Sequence, residues 1–258
     1  MTTQTSSGFV ETTSPDGAWI DRAKTAIIDV LFPPHCAACH RPGAWLCVDC
    51  LQAMQVIQPP VCQRCGLPLD EHQTARASQS ICKRCQRAPL QLDGLLAYAF
   101  HSGPLRQAIH QFKYKDLRSL AAPLGQLMAE GWKALAPQDL QPDVIVPVPL
   151  HPSRQRQRGY NQAALLAREL GASLRCPVVA KVLVRIRATA PQVDLDAQER
   201  RDNVRNAFRC RDTSLSGKHV LLIDDVCTTG STLESACVAL RKTGTISVWA
   251  YTLARARF

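Results

Sequence analysis

The alternation of apolar and polar positions predicts a polar tail, one helix, an irregular cysteine-rich segment and then a long series of strands and helices. Residues 1–16 are rich in Ser and Thr and contain no Lys or Arg, so we predict a disordered tail over 1–18. Apolar residues recur at helical spacing over 19–31, and Pro33 and Pro34 end that helix. Its polar face mixes acidic and basic side chains, which favours a helix that caps a domain over one that lies on a membrane.

From residue 91 onward, apolar runs alternate with helical stripes. The pattern predicts strands over 92–100, 143–149, 182–186, 220–223 and 246–253, and helices over 105–113, 117–135, 161–170 and 231–242. Wholly apolar strands that alternate with helices are typical of a parallel sheet covered on both faces. We therefore predict an α/β fold, in which a mostly parallel sheet is flanked by helices.

The stretch 187–207 interrupts this alternation, because it is polar and has no apolar period. We predict a mobile loop there, with at most a short helix around Glu199. The predicted organisation has three parts: a tail over 1–18, a helix and small cysteine-rich module over 19–90, and an α/β domain over 91–258.

Composition and length exclude several classes of protein. The chain has 258 residues, of which 46% are hydrophobic and 20% charged, values ordinary for a globular protein rather than a collagen-like or disordered one. No apolar run approaches the ~20 residues that span a bilayer, so we expect no membrane insertion. The N-terminus lacks the features of an export signal, which predicts a cytoplasmic location and reduced cysteines.

Positive charge is concentrated in one part of the chain. The net charge is +10, yet residues 1–92 carry 8 Lys and Arg against 7 Asp and Glu, whereas residues 151–215 carry 13 against 6. A basic segment of this kind favours a polyanionic or phosphate-bearing partner. The cysteine-rich module alone has too little charge for strong binding to nucleic acid.

Eight of the twelve cysteines form four C-x-x-C pairs within one short segment. Each pair can present two thiolates to a metal, and two pairs complete a tetrahedral zinc site with no open position for chemistry. We predict two structural Zn²⁺ sites, formed either by neighbouring pairs or by a cross-braced arrangement of first with third and second with fourth. Buried free thiols and redox pairs are less favoured, because no thioredoxin-like strand and helix surround them. The predicted ligands are Cys36, Cys39, Cys47, Cys50, Cys62, Cys65, Cys82 and Cys85.

A second pattern with specific chemistry runs from Val220 to Thr232. A buried strand leads to Asp224 and Asp225, and a loop of small residues then opens a helix. Open α/β sheets bind ligands at the carboxyl ends of their strands, and a loop before a helix N-terminus binds anions. Carboxylates suit sugar hydroxyls or hydrated Mg²⁺, so the segment predicts a sugar phosphate site. It is not a Walker loop, because it has no Gly-Lys-Ser/Thr triplet.

This segment resembles the signature of type I phosphoribosyltransferases, which bind phosphoribosyl pyrophosphate (PRPP). Further segments are similar to the ComF family of competence-associated proteins, which includes GntX-like relatives. The similarity covers most of the chain, from Phe32 to Arg255. The matching segments are Phe32-Pro33-Pro34, Lys113-Tyr114, Val146-Pro147-Val148-Pro149-Leu150-His151, Arg158-Gly159-Tyr160-Asn161-Gln162, Gln192 and Glu199-Arg200-Arg201-Asp202-Asn203-Val204. The chain therefore resembles a ComF-type phosphoribosyltransferase with an N-terminal double zinc ribbon.

The resemblance implies a role for each part of the predicted site. Asp224 and Asp225 would hold the ribose hydroxyls of PRPP, with Mg²⁺ accompanying the substrate. The 5′-phosphate would be wrapped by five loop residues, Thr228, Thr229, Gly230, Ser231 and Thr232. Departing pyrophosphate would meet three arginines in the loop after the first core strand, Arg154, Arg156 and Arg158. The loop at 187–207 would close over the site. Its arginines would be either anion contacts or solvated charges: Arg187, Arg200, Arg201 and Arg205.

One position departs from part of the family and leaves the acceptor open. Some purine-specific relatives have an Asp where Thr228 stands, which weakens an interpretation as purine salvage. The first functional hypothesis is transfer of the phosphoribosyl group to an unknown acceptor. The second is a non-enzymatic DNA-uptake factor that binds single-stranded DNA with PRPP as effector. The third is a PRPP sensor whose zinc module contacts competence-machinery proteins. The basic segment has few aromatic residues, Tyr160 and Phe208, which argues against a dedicated base-stacking platform.

Overall fold

The computed structural model describes residues 33–69, 81–188 and 206–257. The predicted tail, the predicted helix over 19–31 and the central part of the predicted loop at 187–207 lie outside these ranges. Across the described ranges, none of the helices has both the length and the apolar character needed to cross a bilayer.

Within these ranges, strands and helices are interspersed from the first strand onward, and the third, fourth and fifth strands follow one another before the last helix. The strands are β1 (Gly94–Phe100), β2 (Val144–Pro147), β3 (Leu183–Arg185), β4 (Phe208–Cys210), β5 (His219–Cys227) and β6 (Ser247–Arg255). The helices are α1 (Val48–Gln52), α2 (Lys83–Arg87), α3 (Gly103–Tyr114), α4 (Ala121–Leu135), α5 (Pro152–Arg158), α6 (Gln162–Leu174) and α7 (Ser231–Arg241), with a 3₁₀ turn at Arg118–Leu120.

Four parallel strands form the main sheet in the order β1-β6-β5-β2. The central strands β5 and β6 pair from His219 opposite Ser247 to Cys227 opposite Arg255. Helices α3, α4 and α6 pack on one face, while α7 and the small β3-β4 sheet pack on the other. The strands are mostly buried on both faces, which explains their apolar sequences. The predicted α/β fold class is confirmed.

The strand predicted over 182–186 does not join the main sheet. Its counterpart β3 pairs antiparallel with β4, so that Leu183 lies opposite Cys210 and Arg185 opposite Phe208. The two strands flank the predicted loop in sequence, and both supply apolar side chains to the core beside α7. A short apolar run cannot by itself distinguish a core strand from one arm of a peripheral strand pair.

The arginine-rich stretch after β2 forms the short helix α5, where the sequence pattern predicts a loop. Pro152 lies in the first turn of α5, and Nδ1 of His151 accepts a hydrogen bond from the Ser153 N–H at 3.3 Å. Gly159 ends the helix with a φ of +80°. A Pro near the start and a Gly just past the end are ordinary helix boundaries, so the signals for this helix were present in the sequence.

The cysteine-rich module attaches to the edge of the main sheet. The Phe100 N–H donates to Gln55 O and the Ile57 N–H donates to Tyr98 O, both at 2.9 Å. A short stretch of the module thereby runs antiparallel to β1. The module covers the open edge of this strand, which would otherwise expose unpaired backbone groups.

Candidate functional site

The two predicted carboxylates lie near the carboxyl end of the central strand β5. They belong to the strand rather than to the loop that follows, because β5 continues to Cys227. Asp225 is 8% exposed, and its backbone N–H donates to Asp224 Oδ1 at 2.8 Å. Neighbouring residues of a strand point to opposite faces. The pair therefore presents carboxylates on both sides of the strand end.

A lysine outside the predicted set neutralises one of these carboxylates. Lys113 Nζ lies 2.8 Å from Asp225 Oδ1, and the two side chains are only 21% and 11% exposed. Lys113 lies in the last turn of α3, next to Phe112, which anchors that helix in the core. The ion pair orients Asp225 and places a positive charge at the end of β5.

The environment of the other carboxyl, Asp224, favours its protonated form. Burial and the charge of Asp225 raise the pKa of Asp224 to about 7, against the opposing effects of Lys113, the Asp225 N–H and Arg185. Arg185 is 8% exposed, and its guanidinium lies within electrostatic reach of Arg154 and Asp224. Both acidic side chains, Lys113 and Arg185 therefore meet at this edge of the sheet, and Arg154 lies near Arg185.

The raised pKa predicts how stability changes with pH. The folded pKa of Asp224 lies above the ~4 of an unfolded Asp. The carboxyl therefore favours the folded state fully below about pH 4, and this contribution is lost as the pH rises towards 7. Asp224→Asn removes the titrating group. The difference in unfolding free energy between the variant and the wild type should therefore shift by about 2 kcal/mol in favour of the variant when the pH is raised from about 5 to about 8.

Urea unfolding of both proteins at these two pH values, with zinc present, measures the gain. Asp139→Asn changes an exposed carboxylate outside the site, and it should show no comparable dependence on pH. If the difference between Asp224→Asn and wild type is the same at both pH values, the carboxyl ionises as an ordinary Asp.

The predicted phosphate loop, residues 228–232, follows β5 and opens α7. Gly230 is the residue before the helix and has a φ of +92°, a left-handed conformation that glycine adopts most easily. Thr229 Oγ1 and Ser231 Oγ are 2.8 Å apart, and both side chains are more than nine-tenths buried. Thr228 and Thr232 are partly exposed. A tight turn lined by hydroxyls at a helix N-terminus suits an anion.

The three predicted arginines of α5 are placed differently from one another. Arg154 is partly buried and lies within electrostatic reach of Arg185. The Arg158 guanidinium stacks over the Tyr114 ring, 5.1 Å from its centroid. Arg156 is exposed, and no contact in the described ranges links it to the acidic pair. The fold thus brings Arg154 towards the carboxylates and leaves Arg156 at the surface.

Three side chains outside the predicted site join it in the folded chain: Lys113, Arg185 and His101. His101 follows β1 at the same edge of the sheet, where burial and the charges of Lys113 and Arg106 lower its pKa. Its imidazole is therefore neutral at neutral pH, within electrostatic reach of Asp225. For Lys113, the Lys113-Tyr114 match to the family is a signal in the sequence. Arg185 ends β3 and His101 follows β1, and neither residue belongs to a sequence motif.

The eight cysteines of the module form two clusters in sequence order. The thiols of Cys36, Cys39, Cys47 and Cys50 lie within 4.8 Å of one another, and so do those of Cys62, Cys65, Cys82 and Cys85. We name these sets the first and second cysteine clusters. Neighbouring pairs share a cluster, and the cross-braced alternative does not occur.

The two clusters are built in the same way. In each, the first pair is followed directly by a residue of positive φ, His40 (63°) or Gly66 (67°). In each, the third cysteine precedes a short helix that carries the fourth, with Cys47 before α1 and Cys82 before α2. The backbone N–H of this third cysteine donates to the thiol of the first, at 3.4 Å in the first cluster and 3.3 Å in the second. The module is therefore a structural repeat.

The donor set fits zinc in both clusters. Four thiol groups at this separation match a tetrahedral Zn²⁺ site. Burial raises the pKa of Cys36, but backbone hydrogen bonds outweigh it and lower the pKa to about 6. At Cys62, the hydrogen bond from Cys65 lowers the pKa to about 4. Burial raises the pKa of Cys50 in the first cluster and of Cys85 in the second, so each cluster without metal holds both thiolate and thiol. Zn²⁺ binds the thiolate form and would displace the remaining protons.

We expect two Zn²⁺ ions per chain, and one after Cys85→Ser. The substitution leaves the second cluster with three thiolates, which sharply lowers its affinity for zinc. Metal analysis of the purified proteins measures the ratio. Cys210→Ser is the matched control, because this thiol lies outside both clusters and its loss should leave both ions in place. A ratio of one or none in the wild-type protein would contradict the double site.

Known protein families match both the cysteine-rich module and the α/β domain. Residues 27–88 match the family model of the double zinc ribbon domain, and residues 137–257 match that of the phosphoribosyl transferase domain. The DNA utilization protein YhgH of Escherichia coli K12 is 35% identical over 229 residues, which cover 86% of this chain and 97% of that protein.

A second group of relatives carries competence names. Competence protein F of Haemophilus influenzae is 32% identical over 220 residues, which cover 82% of this chain and 90% of that protein. The chain belongs to the ComF family. Competence protein ComFC of Bacillus subtilis is more distant, at 26% identity over 216 residues that cover 83% of this chain and 86% of that protein. The family resemblance in the sequence is thereby confirmed.

Solved structures similar to this ComF family chain are distant. The glutamine PRPP amidotransferase of B. subtilis, complexed with ADP and GMP, has a TM-score of 0.36 and 19% identity. The match covers 52% of this chain and 26% of that one, so the chain spans about a quarter of the amidotransferase. The purine phosphoribosyltransferase of Pyrococcus horikoshii Ot3 has a TM-score of 0.32 and 18% identity, and the match covers 52% of this chain and 82% of that one.

Proposed function

We propose that this ComF family protein binds PRPP where the acidic pair and the phosphate loop meet, and transfers its phosphoribosyl group to an acceptor in support of DNA uptake. The observation that carries the proposal is the junction of β5 with α7. Two carboxylates and a loop suited to an anion lie within a few residues of each other, at one end of a central strand. The competence names of the relatives support the link to DNA uptake.

Each part of PRPP has a chemical partner at this edge of the sheet. The ribose hydroxyls would donate to Asp224 and Asp225, and the 5′-phosphate would accept hydrogen bonds from the phosphate loop. The pyrophosphate would meet Arg185, which lies within electrostatic reach of Asp224, and Arg154, which lies within electrostatic reach of Arg185. Carboxylate and phosphate oxygens are the hard ligands that Mg²⁺ prefers, and a bound ion would neutralise charge on the pyrophosphate.

In the proposed reaction, the bond between C1 of the ribose and the pyrophosphate oxygen breaks, and a bond from C1 to the acceptor forms. The bonding electron pair leaves with pyrophosphate, and the proton of the acceptor passes to a base or to water. The protein contributes charge stabilisation rather than a covalent intermediate. Arg154 and Arg185 would stabilise the leaving group, and the Asp225 carboxylate would stabilise positive charge on the sugar.

Calorimetric titration with PRPP, with and without Mg²⁺, tests the binding. A screen of candidate acceptors for pyrophosphate release tests the transfer. We expect saturable binding that Mg²⁺ tightens, and release that depends on both PRPP and one class of acceptor. Absence of binding under both conditions refutes the site. Binding without release for any acceptor refutes the enzymatic role and leaves PRPP as an effector.

One surface favours the second candidate function, binding of single-stranded DNA with PRPP as effector. Tyr160 and Phe208 are buried, but Tyr114 is 61% exposed and is stacked by Arg158 next to the exposed Lys115. An exposed aromatic ring can stack on a nucleic-acid base, and the cations beside it can bind the phosphate of that nucleotide. Fluorescence anisotropy with a labelled oligothymidylate tests this function. Binding that weakens in Tyr114→Ala and responds to PRPP supports it, and an unchanged affinity in that variant contradicts it.

A further inference from the structure

The segment that joins the second cysteine cluster to β1, residues 88–92, lies against the phosphate loop. We name this segment the connector. Leu90 packs on the second cluster and also on the core that contains β5 and α7. The Gln91 N–H donates to Glu234 Oε1 at 3.2 Å, and Gln91 O accepts from Cys237 Sγ at 3.4 Å. The connector is therefore bonded to the helix that the phosphate loop opens.

Leu90 is the side chain nearest to the position that a Cβ of Gly230 would occupy. A Cβ placed on Gly230 would lie 3.6 Å from Leu90 Cδ2 and 3.9 Å from Cδ1, which are van der Waals distances. Gly230 is the left-handed residue at which the loop turns into α7. Leu90 is therefore close enough to limit a shift of this backbone towards it, with room for about one carbon atom between them.

A cavity of about 280 Å³ lies beside this contact and reaches from the second cluster to the phosphate loop. Its lining includes Cys65 and Cys85 of the cluster, Leu90 of the connector and Thr229 of the loop. Because the space next to Thr229 is unfilled, the position of the loop depends on the side chains that lie near it. The loop therefore has room to move into this space when the Leu90 side chain is shortened.

The other end of the connector is tied to the second cluster. Helix α2, which carries Cys85, ends at Arg87, directly before the connector. Arg64 lies between two cysteines of the same cluster, and its guanidinium donates to Leu92 O at 3.0 Å. A metal held by this cluster would fix both segments at once, because each contributes thiolates to it.

We propose that Leu90 is a positioning residue for the 5′-phosphate: Zn²⁺ in the second cysteine cluster fixes the connector, and Leu90 holds the turn at Gly230 in the conformation that receives the phosphate. The inference rests on the proposed PRPP site. The affinity for the phosphate end of PRPP thereby depends on a metal cluster that does not itself contact PRPP.

The test is calorimetry with two probes, ribose 5-phosphate and pyrophosphate, on three variants. Leu90→Ala should weaken the binding of ribose 5-phosphate about 10-fold, because a displaced loop loses alignment with the phosphate. Leu90→Met, which keeps the volume, should restore most of the affinity. Leu69→Ala should bind like the wild type, since Leu69 packs on the same cluster and no described contact joins it to the phosphate loop. Pyrophosphate affinity should be unchanged in all three.

Cys85→Ser tests the part of the metal. Metal analysis should show the loss of the second ion, and ribose 5-phosphate should bind at least as weakly as in Leu90→Ala. Retained affinity in Cys85→Ser overturns the dependence on zinc. Equal affinity of wild type and Leu90→Ala for ribose 5-phosphate, or a parallel loss of pyrophosphate binding, overturns the positioning role and leaves the proposed function intact. If the wild-type protein binds neither probe and no PRPP, both proposals fail together.

Discussion

Replacing Asp225 by Ala should weaken the binding of PRPP in the presence of Mg²⁺ at least ~100-fold. The substitution removes an ionised acceptor for a ribose hydroxyl, and a hydrogen bond to a charged group contributes ~1.5–3 kcal/mol. It also leaves Lys113, whose Nζ is 2.8 Å from Asp225 Oδ1, without that counter-ion in a partly shielded site. The uncompensated ammonium would repel Mg²⁺, which adds to the loss.

Calorimetry measures the affinity, and thermal unfolding shows whether each variant keeps its fold. Asp225→Asn retains the volume of the side chain without its charge, and we expect it to bind as weakly as Asp225→Ala. Asp139→Ala removes an exposed carboxylate outside the site and should bind PRPP like the wild type. A folded Asp225→Ala protein that binds PRPP within ~3-fold of the wild type would refute the assignment of the acidic pair.

The parts of the site that lie within one short segment could be predicted from the sequence. Asp224, Asp225 and the phosphate loop follow one apolar strand without interruption, and the strand pattern alone places them at the carboxyl edge of a parallel sheet. The cysteine pairs could be predicted for the same reason, because C-x-x-C spacing is local. Spacing could not decide which pairs share a cluster, since that depends on how the chain folds back on itself.

The charges around the acidic pair could not be predicted, because they come from distant parts of the chain. Lys113 reaches Asp225 from the end of α3, and Arg185 approaches Asp224 from the peripheral β3-β4 sheet. No spacing in the sequence relates either side chain to the pair, and only the packing of whole elements brings them there. The same holds for the proximity of Leu90 to Gly230.

Strand β5 shows why the boundaries of elements were harder to predict than their existence. The apolar run ends at Ile223, but the strand continues through both carboxylates to Cys227. The two Asp residues stay in the strand because their carboxylates are satisfied there, one by Lys113 and one by the Asp225 N–H. The acidic pair is consequently held by the sheet, which gives it a more fixed position than a loop would.

Replacing Gly230 by Val should weaken PRPP binding ~100-fold through the backbone of the phosphate loop. The φ of +92° at Gly230 costs a β-branched residue ~1–3 kcal/mol. The Cβ itself has room, since it would lie 3.6 Å from Leu90 Cδ2, so the strain at this atom comes from the backbone conformation of the turn rather than from a clash. The loop can relieve this strain by rotating, and the N–H groups at the start of α7 then no longer converge on the phosphate.

Gly217→Val separates this effect from backbone strain in general. Gly217 also has a positive φ, +71°, and nothing lies within 4 Å of the Cβ position there, but it precedes the opposite end of β5. Both variants should lose ~1–3 kcal/mol of unfolding free energy, while only Gly230→Val should lose affinity for PRPP. The loss should extend to ribose 5-phosphate and spare pyrophosphate, because the proposed site places pyrophosphate away from this loop. If Gly230→Val binds PRPP as tightly as Gly217→Val does, residues 228–232 do not hold the 5′-phosphate.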